Sequence, residues 1–214
     1  MIAREYFYSQ LGSYSHPMLR RLTCGVTSLA MVCAQLGILQ RLPGYEAGAN
    51  LDWFLSYFVS RHEQNKVVLV RPFGGIHIVV DPNGSMSDFE DGDYVRPAGK
   101  TYKPTYSLKK GFDHRGAVDL LREFGIEAEV EEELSVSNLQ NLMEWGVSYF
   151  LASMHYCNPV SGGISSHIVV VCSVEERTVT YVDPLPTTYT EALKTVTTEK
   201  FEESFRGYGT AIWK

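Results

Sequence analysis

The feature that most constrains the fold is an apolar segment, residues 25–39, which begins directly after Cys24. Its apolar residues recur at the spacing of a helix that is buried over most of its surface. The apolar positions are Val26, Leu29, Ala30, Cys33, Leu36 and Ile38. Thr23 stands just ahead as a candidate N-cap. The pattern therefore predicts a central helix with Cys24 at or beside its first turn.

The rest of the chain predicts an α+β fold, with helices first and then strands joined by local hairpins. Amphipathic patterns predict helices at about 51–61, 113–125 and 135–146, the last with Ser137 as its cap. Strands are predicted at 127–130 and 148–154, and in the runs SHIVVVCSV and TVTYVDP, which the turn-like EER separates. One more helix and a closing strand are predicted for the tail.

The length of 214 residues fits one domain, residues 1–214, carrying an insertion at about residues 62–112. The insertion holds two short apolar runs with turn signals, which predict a hairpin, and a long loop with an acidic cluster. Long loops of this kind often form lids or binding surfaces, so a partner protein could bind through the insertion.

Charge and hydropathy exclude several classes of function. A net charge of −6 argues against a nucleic-acid partner, because binding phosphates requires clustered Lys and Arg. No segment has the continuous apolar length needed for membrane insertion. The first residues, MIAREYFYSQ, lack the pattern of a signal peptide, and we expect a cytoplasmic protein.

The four cysteines are too few and too widely spaced for a disulfide framework. No CxxC pair is present, so a thiolate zinc site is not expected, and the sequence predicts neither a cofactor nor a metal. Cys33 and Cys172 lie among apolar neighbours and are interpreted as packing residues.

Cys24 is the candidate nucleophile. A helix N-terminus presents unpaired backbone N–H groups and a partial positive charge, which lower the pKa of a thiol and can stabilise an oxyanion. Gly25, which has no side chain, is expected to let a substrate approach closely.

A cysteine nucleophile also needs a base and a group that orients the base. His167 lies in the run SHIVVVCSV, and Asp183 closes the run TVTYVDP. A hairpin turning near residues 175–177 would bring the two side chains to the same end of neighbouring strands. His77 and Asp81 imitate this pattern, but they lie too far apart along one strand to form a hydrogen bond readily.

These motifs resemble those of the papain-like cysteine peptidases that remove double-glycine leader peptides during bacteriocin processing, and of their freestanding relatives. CGVTSLAMV resembles the cysteine motif of the family, and SHIVVVCSV with TVTYVDP resembles its histidine and Asp-Pro motifs. The segments LLREFGIEAEV, LSVSNLQNLMEWGVSYFLASM and EKFEESFRGYGTAIW resemble the elements between and after them. The resemblance covers nearly the whole chain apart from the insertion.

The resemblance implies a papain-like fold, in which a helical part carrying the nucleophile packs on an antiparallel sheet carrying His167 and Asp183. It also implies an oxyanion glutamine a short interval before the cysteine. The glutamine available upstream here is Gln10, fourteen residues before Cys24, so a longer loop has to fold back. Val26 stands where the family usually has proline.

The function expected from these residues is hydrolysis of a peptide or isopeptide bond in a peptide or protein substrate, through a thioester. Two alternatives remain open at this point. One is acyl transfer to an amine on the same fold, as in transglutaminase-like chemistry. The other is a degenerate, non-catalytic module that binds a peptide or a protein.

Overall fold

The structure, a computed structural model, describes residues 1–14, 23–62, 67–70, 77–80, 112–157 and 164–214. Most of the predicted insertion lies outside the described residues, as do the acidic cluster and the proposed partner surface. What is described of the insertion includes two short strands, β1 (Val67–Val70) and β2 (His77–Val80), which pair antiparallel as a hairpin.

The described helices and strands follow the predicted α+β order. The helices are α1 (Cys24–Gln35), α2 (Asp52–His62), α3 (His114–Glu123), α4 (Val136–Glu144), α5 (Tyr189–Ala192) and α6 (Thr198–Glu202). The further strands are β3 (Ala128–Glu131), β4 (Val147–Cys157), β5 (Ile164–Val174), β6 (Thr178–Val182), β7 (Leu193–Thr197) and β8 (Phe205–Trp213). The predicted fold class is confirmed.

Six of these strands form one antiparallel sheet in the order β3-β8-β4-β5-β6-β7. Both faces of its centre are buried. Ile168 and Val170 of β5 belong to the core shared with α1 and α3, whereas Val169 and Val171 belong to a second core shared with α4 and α6. A strand buried on both faces has a continuous apolar run rather than an alternating one, which explains the sequence IVVV.

Helix α1 is buried along nearly its whole length, as the apolar segment predicts. Residues 25 to 34 are all buried, including the polar Thr27 and Ser28. The Ser28 hydroxyl donates to the Ile168 carbonyl over 3.1 Å, so it ties the second turn of α1 to the strand that carries His167. This contact fixes the start of the helix relative to β5.

Two helix starts differ from the sequence prediction or refine it. Helix α4 is capped by Ser135, whose hydroxyl accepts from the Asn138 amide, so the prediction of Ser137 as the cap was wrong. The Asn138 side chain reaches back to the Ser135 amide and completes a capping box. Thr23 occupies the N-cap position of α1, but its side chain makes no capping hydrogen bond.

His114 forms a buried polar contact between α3 and the sheet. Its Nδ1 lies 2.7 Å from Thr210 Oγ1 and its Nε2 lies 3.0 Å from Ser153 Oγ. Burial lowers the pKa of His114 to about 3, so the imidazole is neutral near pH 7. All three side chains are almost fully buried, which indicates a structural role.

Among the described residues, no helix has the length and apolar character needed to cross a membrane.

Candidate active site

Cys24 is the first residue of α1 and is partly exposed. The N–H groups of the first helical turn have no partner within the helix, so they are directed at the N-terminus, where Cys24 lies. Burial would raise the pKa of the Cys24 thiol, but the hydrogen bond and charge of His167 outweigh it. The Ile168 and Gly25 amides act in the same direction, and the pKa of Cys24 is lowered.

His167 lies between the thiol and a carboxylate. Its Nε2 is 2.8 Å from Asp183 Oδ1, which leaves Nδ1 as the ring nitrogen available to Cys24. Burial would lower the pKa of His167, but the hydrogen bonds and charges of Asp183 and Cys24 raise it to about 9. Opposite shifts in the thiol and the imidazole favour a thiolate–imidazolium pair near pH 7.

Asp183 follows the last residue of β6, and its carboxylate accepts hydrogen bonds on both oxygens. Oδ1 accepts from His167 and from the Leu185 amide at 2.9 Å, and Oδ2 accepts from Lys194 Nζ at 2.7 Å. Burial would raise the pKa of Asp183, but these donors hold it well below its usual range. The carboxylate is therefore ionised, and its orientation is fixed on both sides.

The structure brings Cys24, His167 and Asp183 into one contiguous arrangement next to the end of the β5–β6 pairing. Gln10, the fourth predicted site residue, is held next to this arrangement, because its backbone N–H donates to the Pro184 carbonyl over 2.7 Å. The Gln10 side chain is buried, and among the described residues its Oε1 has no hydrogen-bond partner. Residues 15–22 of the loop between Gln10 and Cys24 lie outside the described residues.

The space beside Gly25 is filled by Phe112, although the sequence predicted a path for substrate there. A Cβ built on Gly25 would overlap the Phe112 ring. The Phe112 ring stacks on Phe58 with centroids 5.8 Å apart and meets the edge of His114 at 5.0 Å. The absence of a side chain at Gly25 therefore allows an aromatic contact next to Cys24, and the His114 ring packs against the same Phe112 ring.

This contact predicts a measurable coupling between Gly25 and Phe112. We expect Gly25→Ala to lower the free energy of unfolding by about 1–3 kcal/mol, because the new methyl group overlaps the ring. Adding Phe112→Ala should remove that overlap. The double variant should therefore lose less free energy of unfolding than the two single variants lose together. Urea denaturation of the three variants measures the coupling.

A Gly12→Ala variant is the matched control for that cycle. A Cβ on Gly12 would make only ordinary contacts, 3.7 Å from Ser9 Cβ. Additive losses for Gly25→Ala and Phe112→Ala would show that the ring does not occupy the space beside Gly25.

Two side chains that contact this arrangement were not predicted from the sequence: Lys194, which contacts Asp183, and Ser28, which contacts the backbone next to His167. Lys194 contacts Asp183 only because β7 turns back along β6, where it lies opposite Tyr181. The segment between the two strands contains helix α5 and lacks a tight-turn signature, so the pairing could not be seen in the sequence. Ser28 lies in an apolar helix, and the local sequence does not indicate that its hydroxyl donates to a carbonyl 140 positions away.

No protein-family model matches the chain, and no curated protein matches it. Several solved structures share its architecture. A structure described as a C39-like peptidase from Bacillus anthracis is 16% identical, with a TM-score of 0.50, and the match covers 97% of this chain and 94% of that one.

Two transporter-linked domains also match. The peptidase domain of Streptococcus ComA is 12% identical, with a TM-score of 0.46 and coverage of 90% and 92%. A double glycine motif protease from an AMS/PCAT transporter, solved in complex with the leader peptide, is 15% identical, with a TM-score of 0.47 and coverage of 90% and 84%. The match to the C39-like peptidase, with its TM-score of 0.50, shows that the chain has that fold, and the resemblance seen in its motifs is confirmed at the level of the fold.

Proposed function

We propose that this chain is a cysteine peptidase in which Cys24 is the nucleophile, His167 the acid–base group and Asp183 the residue that orients His167. One observation carries the proposal: the three side chains form a continuous hydrogen-bonded arrangement. The contact with His167 lowers the pKa of the Cys24 thiol, and the contacts with Asp183 and Cys24 raise the pKa of His167, as this chemistry requires. Structural cysteines in apolar surroundings show the opposite shift, as Cys33 does here because burial raises its pKa.

The reaction begins when the Cys24 thiolate attacks the carbonyl carbon of the scissile bond and the carbonyl oxygen becomes an oxyanion. Protonated His167 then gives its proton to the leaving amine, the C–N bond breaks, and a thioester remains on Cys24. Neutral His167 next takes a proton from water, whose oxygen attacks the thioester carbonyl. The C–S bond breaks, and the thiolate–imidazolium pair is restored as the carboxylic acid product leaves.

Two groups are proposed to stabilise the oxyanion: the backbone N–H of Cys24 and the side chain of Gln10. Gln10 Oε1 is buried and has no hydrogen-bond partner in the part of the chain that the structure describes. This supports the role, since a buried polar atom without a partner costs about 1–3 kcal/mol. Rotation about the terminal torsion exchanges Oε1 and Nε2, so the amide can present a donor there when an oxyanion forms.

The proposed substrate is a peptide or protein, and the test is covalent capture. A library of peptide aldehydes or vinyl sulfones is incubated with the chain and analysed by mass spectrometry, and the adduct is expected on Cys24. Captured sequences are then remade as substrates and cleaved with and without an added amine. A free carboxylic acid in both reactions supports hydrolysis, whereas an amide of the added amine would favour acyl transfer. A library without any adduct would contradict the proposal.

A further inference from the structure

Lys194 holds the oxygen of Asp183 that His167 does not use. Its ammonium lies 2.7 Å from Asp183 Oδ2, while His167 and the Leu185 amide occupy Oδ1. We propose that Lys194 is a positioning residue of the proposed active site, which acts on His167 through Asp183. The inference rests on the proposed function, because it assigns Lys194 a part in that same acid–base step.

The contact with Lys194 fixes the orientation of the Asp183 carboxylate. A carboxylate bound on one oxygen can still swing about the bond to its Cβ, whereas donors on both oxygens fix its plane. Asp183 is 7% exposed, so few water molecules could replace a missing donor on Oδ2. Lys194 therefore keeps Oδ1 directed at His167.

The charge of Lys194 has a second effect. An uncompensated carboxylate would hold the proton of the imidazolium more tightly, and an acid that binds its proton too tightly donates it slowly to a leaving amine. The ammonium offsets part of the charge of Asp183. It thus keeps His167 closer to the range in which it can both give and take a proton near pH 7.

The fold places Lys194 by pairing β7 with β6. Lys194 lies opposite Tyr181, and the Asp183 amide donates to the Ala192 carbonyl over 2.9 Å, which closes the turn between the strands. Among the residues that the structure describes, the titratable groups facing this cluster are Cys24 and the phenols of Tyr181 and Tyr156. The Tyr156 ring lies 5.5 Å from that of His167. The side chain of Lys194 is 38% exposed, so its ammonium group reaches Asp183 while it stays in part in contact with water.

The test compares Lys194→Met with Lys194→Arg and with Lys200→Met. Lys200 is an exposed lysine on α6 paired with Glu203, so its variant removes the same charge away from the site. The imidazole of His167 is titrated by NMR, its signal assigned with a His167→Gln variant. Because loss of a nearby cation favours the protonated imidazole, we expect its pKa to rise above about 9 in Lys194→Met and to stay unchanged in the other two.

The kinetic readout separates this role from simple packing. On a captured substrate, Lys194→Met should lower kcat about tenfold, the effect of one charge-assisted hydrogen bond, with little change in KM. The alkaline limb of the kcat–pH profile should move to higher pH in Lys194→Met. Lys194→Arg should restore both kcat and the position of that limb. Should Lys194→Met not fold, Lys194→Gln removes the same charge and carries the same expectations.

The two proposals fail in different ways. An unchanged His167 titration in the Lys194→Met variant of an active chain would overturn the role of Lys194 alone, and so would a Lys194→Arg variant that behaves like Lys194→Met. A parent chain that hydrolyses no captured sequence would overturn the proposed function, whatever the titration shows.

Discussion

Replacing Cys24 by alanine is expected to lower the rate of hydrolysis of any captured substrate by at least about 10⁴-fold, because removal of a nucleophile from a coupled triad takes away nearly all of its effect. Alanine is a good first residue for a helix, so α1 should still form. The measurement is kcat/KM for the parent and the Cys24→Ala chain at pH 7, with thermal unfolding to show that both are folded.

Cys172→Ala is the matched control for that experiment. Cys172 lies on β5, five residues after His167, and burial raises the pKa of its thiol. We expect its loss to leave kcat/KM within a few-fold of the parent. A Cys24→Ala chain that still cleaves the substrates of the parent would contradict the assignment of the nucleophile.

Replacing Gln10 by methionine is the second change with a large expected effect. If Gln10 supplies an oxyanion donor, kcat should fall about 10²- to 10³-fold, with a smaller change in KM, because the contact forms only in the transition state. The same variant should unfold at an equal or higher temperature, since it removes a buried oxygen that has no partner among the described residues.

Gln35 offers the reverse case and serves as the control. Its Oε1 accepts from the Ala3 amide over 2.7 Å, so Gln35→Met breaks a hydrogen bond. We expect this variant to lose stability and keep its kcat. A Gln10→Met chain with unchanged kcat would remove Gln10 from the site and leave the Cys24 amide as the proposed oxyanion donor.

Local pattern was enough to predict the parts of the fold that depend on short-range sequence. The apolar segment after Cys24 predicted a buried helix, and the EER turn predicted the hairpin of β5 and β6. That hairpin has Val170 opposite Val182, so Asp183 lies within two residues of the position facing His167. The proximity of the two side chains therefore followed from strand period and turn position alone.

Features set by long-range packing could not be predicted in the same way. Phe112 contacts Gly25 across 87 positions of chain, and Lys194 reaches Asp183 through the β6–β7 pairing. No local period encodes either contact. Gln10 is an intermediate case: the family resemblance singled it out, and its backbone bond to Pro184 gives it a place beside Asp183, while its role as oxyanion donor stays a prediction.

The central claim is that His167 activates Cys24, and the rate of alkylation of each cysteine as a function of pH tests it most directly. With iodoacetamide at pH 6, Cys24 should react faster than an ordinary thiol, because its lowered pKa raises the fraction of the side chain that is present as thiolate. Cys172 should stay unlabelled in the same sample, since burial raises its pKa. In a His167→Gln variant the largest effects that lower the pKa of the thiol are lost while burial still raises it, so the pH needed for labelling of Cys24 should rise. Labelling of Cys24 no faster than an ordinary thiol in the parent, or an unchanged profile in His167→Gln, would contradict the account.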